Sequence, residues 1–587
     1  MFHSKTHIIM KTRIYQLFSV GLTSLAICAV LTSCNDFLDE HVPQGTLSDE
    51  QVKTPKNAEA MVVSAYAIFT TAEDINSSFS MWNFDVRSDD AYKGGSGTSD
   101  GDVFHQLEVQ QGVLTTNWNI NDMWVRLYNS LSRVNTAIAL LNESDYSMKQ
   151  QRLAEMKFLR AYGHFLLKRL YKNIPFVMNE NLTYDEYNAL SNTTYTNDEG
   201  WQLIIDDLME AYNTLPETQA DKGRPTKASA AAFLAKVYLY KAYRQDDAKS
   251  NQVTSINQQD LEKVIEFTNP SLYTNYGLED DLHNNFRPEE QYENGRESIW
   301  AIQYSRNDGS TYGNLNWSYG LIPPNIPGAT DGGCDFYKPS QNLVNAYRTG
   351  DDGLPLLDTF NEKDYNRASD NADPRLFLTV GIPGLPYMFN KNYMMEETSI
   401  WSRSNGLYGY NVSLKQNVDP ALIDQYLIKG SYWASSMNRI VFRYADVLLM
   451  RAEAYAQLGQ TDQAISLVNQ IRTRAAQSTQ MTGNYPSLYG VKFYCANYRG
   501  NYTKDDAVRI VKMERRLEFG MECERFFDLV RWGDAATVLN KYYSEEIAHC
   551  AIYTAAHFTA NKDEYLPIPF EQISASNGKY TQNIGNW

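Results

Sequence analysis

The sequence predicts a mainly α protein, with pairs of helices stacked into a scaffold and a loop-rich lobe of short strands on one side. Three observations carry this expectation. Apolar residues recur at helical spacing in long segments on both sides of the middle of the chain. Between about 269 and 438 that period fails, and Gly, Pro, Asn and Tyr dominate, with short strand-like runs such as Ser298 to Tyr304. The 587 residues are 43% hydrophobic and 13% aromatic, ample for a large core and too apolar for the lobe to be a disordered linker.

The clearest helix pair lies in Arg439 to Ala476, RIVFRYADVLLMRAEAYAQLGQTDQAISLVNQIRTRAA. Val447, Leu448, Met450, Ala454 and Leu458 mark one helical face. Gly459 ends that helix where a left-handed residue is needed, and Thr461 starts the next, whose apolar face is Ala464, Leu467, Val468 and Ile471. Small residues at Ala452 and Ala464 allow close approach. The order Ala452, Tyr455, Gly459, Ala464, Val468 matches the spacing of a tetratricopeptide repeat, without the Pro that usually closes it. One such pair cannot bury its own face, so other pairs are required.

They are found in order along the chain. Lys5, Lys11 and Arg13 precede an apolar run from Leu17 to Leu31, which reads as a secretory leader, with Met10 as an alternative start. It ends Leu31-Thr32-Ser33-Cys34, which resembles a lipobox, so residues 1–33 would be removed and Cys34 lipidated. Residues 34–56 form a polar tether, and 57–587 a single domain: helical repeats over about 57–268 and 439–535, the lobe over about 269–438, and a C-terminal strap over 536–587. Helices are expected over Asn57 to Thr71, Trp118 to Leu141, Lys149 to Tyr171, Glu199 to Leu215, Thr226 to Tyr243 and Asp260 to Thr268. Ser77 to Gly112 interrupts them as a long irregular loop carrying Trp82, Arg87, Asp89, Asp90 and Tyr92. Ser340 to Tyr347 is a short helix within the lobe. From Lys504 to Trp532, ERRLEFGMECERFFDLVRWG reads as one helix on which Glu518, Glu522, Arg525 and Asp528 share a charged face. Such a face between packed helices fixes geometry far more often than it does acid–base chemistry.

Composition narrows the function. The formal charge is −17, and loss of the leader removes three more positive charges, which argues against nucleic-acid binding. Cys334, Cys495, Cys523 and Cys550 are not spaced as a zinc pair, their disulfide pairing is open, and no His pair has metal-binding spacing. No cofactor motif is present. With 41 Tyr and 10 Trp, many in Gly/Asn-rich loops, the chain has the rings that stack on sugar faces and the amides and carboxylates that hold hydroxyls.

These pieces together resemble the RagB/SusD family of surface glycan-binding lipoproteins. The resemblance is carried by CNDFLDE after the lipobox, WVRLYNSLSRVNTAI, FLRAYGHFLLKRLYKNIPFV, RPTKASAAAFLAKVYLY, RYADVLLMRAEAYAQLG, the ERR…RFFDLVRWG segment, YLPIP and the QNIGNW ending. It implies a non-catalytic, lipid-anchored outer-membrane protein that binds oligosaccharide and hands it to a TonB-dependent SusC-like transporter. It also implies that an early loop meets the later lobe at one face. On that basis the expected ligand residues are Trp317 and Tyr319 as stacking platforms, Tyr92 as a second wall, and Asp89 or Arg87 holding hydroxyls. Tyr312 and Trp82 lie in the same stretches, and Trp401 is a reserve. A glycoside hydrolase needs two carboxylates across a sugar bond, which 70 acidic residues leave open as an alternative. A peptide-binding or purely structural adaptor of an uptake complex is the other.

Overall fold

The computed structural model describes residues 53–69, 82–309, 313–430, 433–478 and 485–587. The leader, Cys34 and most of the tether lie outside the described residues. About 48% of the described residues are helical. The first half contributes α1 (Pro55–Ala67), α2 (Trp118–Glu143), α3 (Lys149–Tyr171), α4 (Asn197–Thr214), α5 (Lys227–Ala242) and α6 (Gln258–Phe267). The second half contributes α7 (Tyr444–Gln457), α8 (Thr461–Ser478), α9 (Lys504–Phe519), α10 (Arg525–Trp532) and α11 (Ala535–Glu546).

Local chemistry sets the helix ends. Pro55 opens α1 at a position whose N–H would have no partner. Asn117 caps α2 by accepting from Asn119 N and Ile120 N, and Thr196 with Glu199 forms a capping box on α4. Gly459 ends α7 with φ +75, the left-handed turn its position requires. Ala452 and Ala464 are fully buried where α7 meets α8.

Each helix stacks on its sequence neighbours, α1 on α2, α2 on α3, and so on to α6. The Ala-rich α5 and α6 then pack against α7, so one stack joins the two helical regions. The intervening lobe carries short helices and two- or three-stranded sheets. With β1 (Ala91–Gly94) supplied by the early loop, the main strands are β2 (Ser298–Ile302), β3 (Phe336–Pro339), β4 (Leu427–Lys429), β5 (Trp433–Ser435) and β6 (Arg439–Arg443). Antiparallel β2–β6 lies across α3 and α5: Trp300 packs edge-on against Phe158 at 4.9 Å, and Phe442 meets Phe233 at 5.1 Å. Antiparallel β1–β3 brings the early loop to the lobe, with Tyr92 opposite Lys338.

Three sequence expectations change. Ser77 to Gly112, expected as an irregular loop, carries in its described part a 3-10 turn over Trp82–Arg87, strand β1 and an α-helix over Asp102–Val109. The segment from Lys504 to Trp532 is two helices. Gly520 breaks it, Met521 and Cys523 take positive φ, and the Cys523 N–H donates to Asp85 Oδ2 at 3.0 Å. Glu518 and Glu522 therefore do not share one helical face with Arg525 and Asp528. The start of the strap is also helical: Leu539, Tyr542 and Tyr543 bury one side of α11. Beyond it the chain alternates a 3-10 turn (Ala551–Ala555) and a short helix (Phe570–Ala575) with irregular stretches, where Leu566 N donates to Leu170 O at 2.8 Å and Asn583 Nδ2 to Tyr171 O at 2.7 Å.

Buried ion pairs lock lobe to helices. Glu518 accepts from Arg375 at 3.0 Å, from Arg443 and from Arg474, while Glu297 takes Arg443 at 2.8 Å and Arg474 at 2.9 Å. Burial opposes ionisation of Glu518, but Arg474, Arg443 and Arg375 outweigh it and hold the carboxyl well below its usual range.

Candidate glycan-binding cleft

The structure divides the eight sequence candidates. Arg87, Asp89 and Tyr92 face inward. The Arg87 guanidinium lies 3.9 Å over the Phe526 ring and donates to Asp563 O at 2.9 Å. Asp89 is gripped by both arms of Arg525, at 2.8 and 2.9 Å, with Arg516 at 3.1 Å. Burial alone would raise the Asp89 pKa, yet Arg516 and Arg525 hold it at about 2. Tyr92 donates to Glu546 and accepts from Gln341 N at 3.0 Å. These three close the seam between the early loop and α9–α11; Arg87 Nε and Nη1 have no hydrogen-bond partner among the described residues, but all three side chains are buried away from a surface ligand. Trp401 is also core, 5.4 Å from the Tyr387 ring among Ile326, Met395 and Val412. Tyr312 and the side chain of Trp82 lie outside the described residues.

Trp317 and Tyr319 sit half-buried on a short turn of the lobe. Asn316 caps that turn by accepting Ser318 N at 3.1 Å, and its own N–H donates to Ser435 O at 2.7 Å, fastening the turn to β5. Burial raises the Tyr319 phenol against the nearby positive charge of Arg439.

The chain leads back from Trp317 through Asn314 to a cleft that the sequence did not single out. It holds about 260 Å3 between α1 (Val63, Tyr66, Ala67), Phe69, Leu159 of α3, the 221–224 loop, β2, Gln303 and Asn314. Trp300 is its anchor: the indole Nε1 donates to Gly223 O at 3.0 Å, and the ring is wedged edge-on against Tyr162 at 5.1 Å. Arg224 fixes the loop wall, pairing with Glu59 at 2.6 Å, Glu155 at 2.8 Å and Asp221 at 2.8 Å. Tyr66 OH donates to the same Glu155 at 2.9 Å. Gln303 and Asn294 exchange amide hydrogen bonds at 2.8 and 2.9 Å, and Asn438 adds a third at 3.0 Å. A Cβ on Gly223 would stand 2.8 Å from Gln303 Cγ, so the glycine leaves that side chain its place in the wall.

Beyond the Trp300–Gly223 hydrogen bond a second arm of about 220 Å3 continues past Gln219, Asn275, Tyr276, Asn294 and Arg296. One arm is walled by aromatic and aliphatic groups, the other by amides, a phenol and a guanidinium. That pairing suits a ligand with apolar C–H faces and hydroxyl edges. Tyr66, Trp300 and Gln303 escaped the sequence reading because each occupies an ordinary helix or strand position. RPTKASA around Arg224 stands in the sequence only as one of the motifs that carry the family resemblance. Among the described residues, no three His, Cys, Asp or Glu side chains form a metal-holding group.

Residues 296–587 match the SusD family model, and residues 36–239 match a second model described as "Starch-binding associating with outer membrane". The chain belongs to the SusD family. SusD-like protein P2 of Formosa agariphila is 24% identical, over 96% of this chain and 99% of its own length. SusD-like protein P38 of the same organism is 27% identical over 89% of this chain and 92% of its own. A SusD homolog from Bacteroides thetaiotaomicron shares the fold with a TM-score of 0.70 at 18% identity, covering 91% of this chain and 97% of that one. A laminarin-binding SusD-like protein aligns at TM-score 0.63 and 22% identity, over 91% of this chain and 100% of that one. Surface glycan-binding protein A from Bacteroides thetaiotaomicron, solved with laminarihexaose, aligns at 0.61 and 20%, over 90% of this chain and 99% of that one. The SusD-type fold accounts for the mainly helical scaffold with a strand-bearing lobe.

Proposed function

We propose that this SusD-family protein is a non-catalytic, lipid-anchored surface protein that captures an oligosaccharide and passes it to a TonB-dependent SusC-like transporter of the outer membrane. The observation that carries the binding reading is the two-armed cleft around Trp300, with an apolar wall and an amide-rich wall, whose lining residue Asn314 stands three residues before Trp317. Two fold neighbours, one laminarin-binding and one solved with laminarihexaose, make laminarin oligosaccharides the first ligands to try. Attachment through Cys34 follows from the lipobox, and among the described residues no helix is long and apolar enough to cross a membrane. Delivery to a transporter follows from the family.

The test is calorimetric titration of the soluble protein with laminarihexaose, maltohexaose and a wider glycan panel, alongside a reducing-end assay. Saturable binding without turnover is expected, and Trp317→Ala should weaken it about tenfold, an aromatic platform being worth roughly 1–1.5 kcal/mol. Turnover would make the protein a hydrolase; no saturable binding to any glycan would favour an adaptor. Co-purification of a transporter barrel under mild detergent tests the partner separately.

A further inference from the structure

A second cleft, sharing no lining residue with the first, lies in the lobe. It holds about 330 Å3 between the Asp281 to Glu289 turn and Met388, Phe389, Asp419 and Leu422. That volume is at the small end of ligand pockets, enough for one ring or one side chain.

Its polar groups are out of charge balance. Asp281 is 1% exposed; Oδ1 accepts His283 N at 2.9 Å, while Oδ2 has no hydrogen-bond donor. Among the described residues no cation pairs with Asp281, or with Asp419, whose Oδ1 accepts Asn390 Nδ2 at 2.7 Å and Ala421 N at 2.9 Å. The cations nearby are committed. Arg287 pairs with Glu289 and lies 3.8 Å over the Tyr292 ring; Arg474 is held by Glu297 and Glu518; Lys415 is held by Glu522. Burial and the charge of Arg287 push the His283 imidazole down to about 4, so it carries no compensating charge at neutral pH. Burial raises Asp281 only to about 6, so it is mostly ionised there.

The walls are apolar and held in an unusual way. Met388 and Phe389 are consecutive non-glycine residues at φ 49 and φ 61, a backbone region that side chains disfavour. That geometry places the Phe389 ring edge-to-face on His283 at 4.8 Å. Two carboxylates without an ion-pair contact among the described residues, Asp281 feeling Arg474 and Arg287 only from beyond contact distance, stand beside aromatic and aliphatic surface and fit a cation carried on a carbon skeleton. No three-ligand metal group exists among the described residues.

We propose that this cleft binds a primary ammonium group borne on a small organic frame, as in an aminated sugar or a basic amino-acid side chain. Asp281 supplies the main counter-charge, Asp419 a second, and Phe286, Met388 and Phe389 cover the frame. A small rotation of the Asp281 carboxylate presents Oδ2 to the ligand.

The experiment titrates the soluble full-length chain, at low salt and pH 7.5, with D-glucosamine, N-acetylglucosamine, glucose and N-α-acetyl-lysine. At least one of the two amines should bind saturably and about tenfold tighter than both neutral sugars, and which one does so identifies the source. Asp281→Asn should weaken that binding at least tenfold, Asp419→Asn about threefold. Asp281→Asn keeps the acceptor for His283 N and removes an uncompensated buried charge, so its melting temperature should hold or rise, which separates lost binding from lost folding. Amine binding should survive Trp317→Ala and excess laminarihexaose. The proposal is overturned if neither amine saturates, if a neutral sugar binds equally well, if Asp281→Asn leaves the affinity unchanged, or if Trp317→Ala abolishes the signal.

Discussion

Replacing Asp89 with Ala should destabilise the protein without touching its ligand affinity. The wild-type carboxylate is ionised at every ordinary pH because Arg516 and Arg525 outweigh its burial, holding its pKa at about 2 against an ordinary 3.8. A depression of that size corresponds to about 2 kcal/mol of native-state stabilisation. Because the folded pKa is the lower one, that stabilisation is fully present above about pH 4–5 and is lost as pH falls towards 2. Truncation also strands Arg525, which loses both its bonds to the carboxylate, and removes one partner of Arg516. Breaking a buried pair from one side typically costs about 3–5 kcal/mol. With an unfolding entropy of roughly 2.1 cal/mol/K per residue, a chain of this size should melt about 2–4 °C lower. Asp89→Asn, which keeps one acceptor oxygen, should lose less. Differential scanning calorimetry at pH 7 reads the stability, and calorimetric titration with the best glycan reads the affinity. If Asp89→Ala melts normally but binds glycan tenfold more weakly, then Asp89 contacts the ligand, and its inward placement against Arg525 is wrong.

Three further outcomes follow. Cys34→Ala should abolish incorporation of labelled fatty acid and shift the protein out of the membrane fraction; continued labelling would remove the lipobox reading. Ala464→Trp forces an indole into a fully buried helix contact and should cost about 1–3 kcal/mol or more, seen as a lower denaturation midpoint. Gly223→Ala adds a Cβ 2.8 Å from Gln303 Cγ, so Gln303 must move into the cleft. Glycan affinity should fall about threefold with little change in melting, and an unchanged affinity would place the ligand away from that wall.

What could be read from the sequence was whatever the chain decides locally. Gly459 announces its own left-handed turn, and the apolar periods of α2 to α8 need no distant partner to be recognised. The break at Gly520 could not be read that way. One glycine in a helical pattern is tolerated, and Glu518, Glu522, Arg525 and Asp528 keep helical spacing across it. What secures the break is the Asp85 carboxylate accepting the Cys523 N–H, a contact spanning 438 residues. The same asymmetry misled the site prediction. Arg87, Asp89 and Tyr92 have the chemistry of a sugar site, but their partners Phe526, Arg525 and Glu546 stand more than 400 residues away and claim them first. A charged residue in an irregular loop is available to a ligand only if no distant counter-charge reaches it, and that is a property of the fold. Conversely, Trp300 looks like any buried strand residue. It borders a cleft because α1 and the 221–224 loop, fixed by Arg224 on Glu59 and Glu155, leave a gap beside it. A cleft of this kind is defined by missing contacts, and no single residue type encodes it. Residues such as Trp317, on a capped turn fastened to β5, remain legible because an aromatic ring among Asn and Gly is poorly placed to be core.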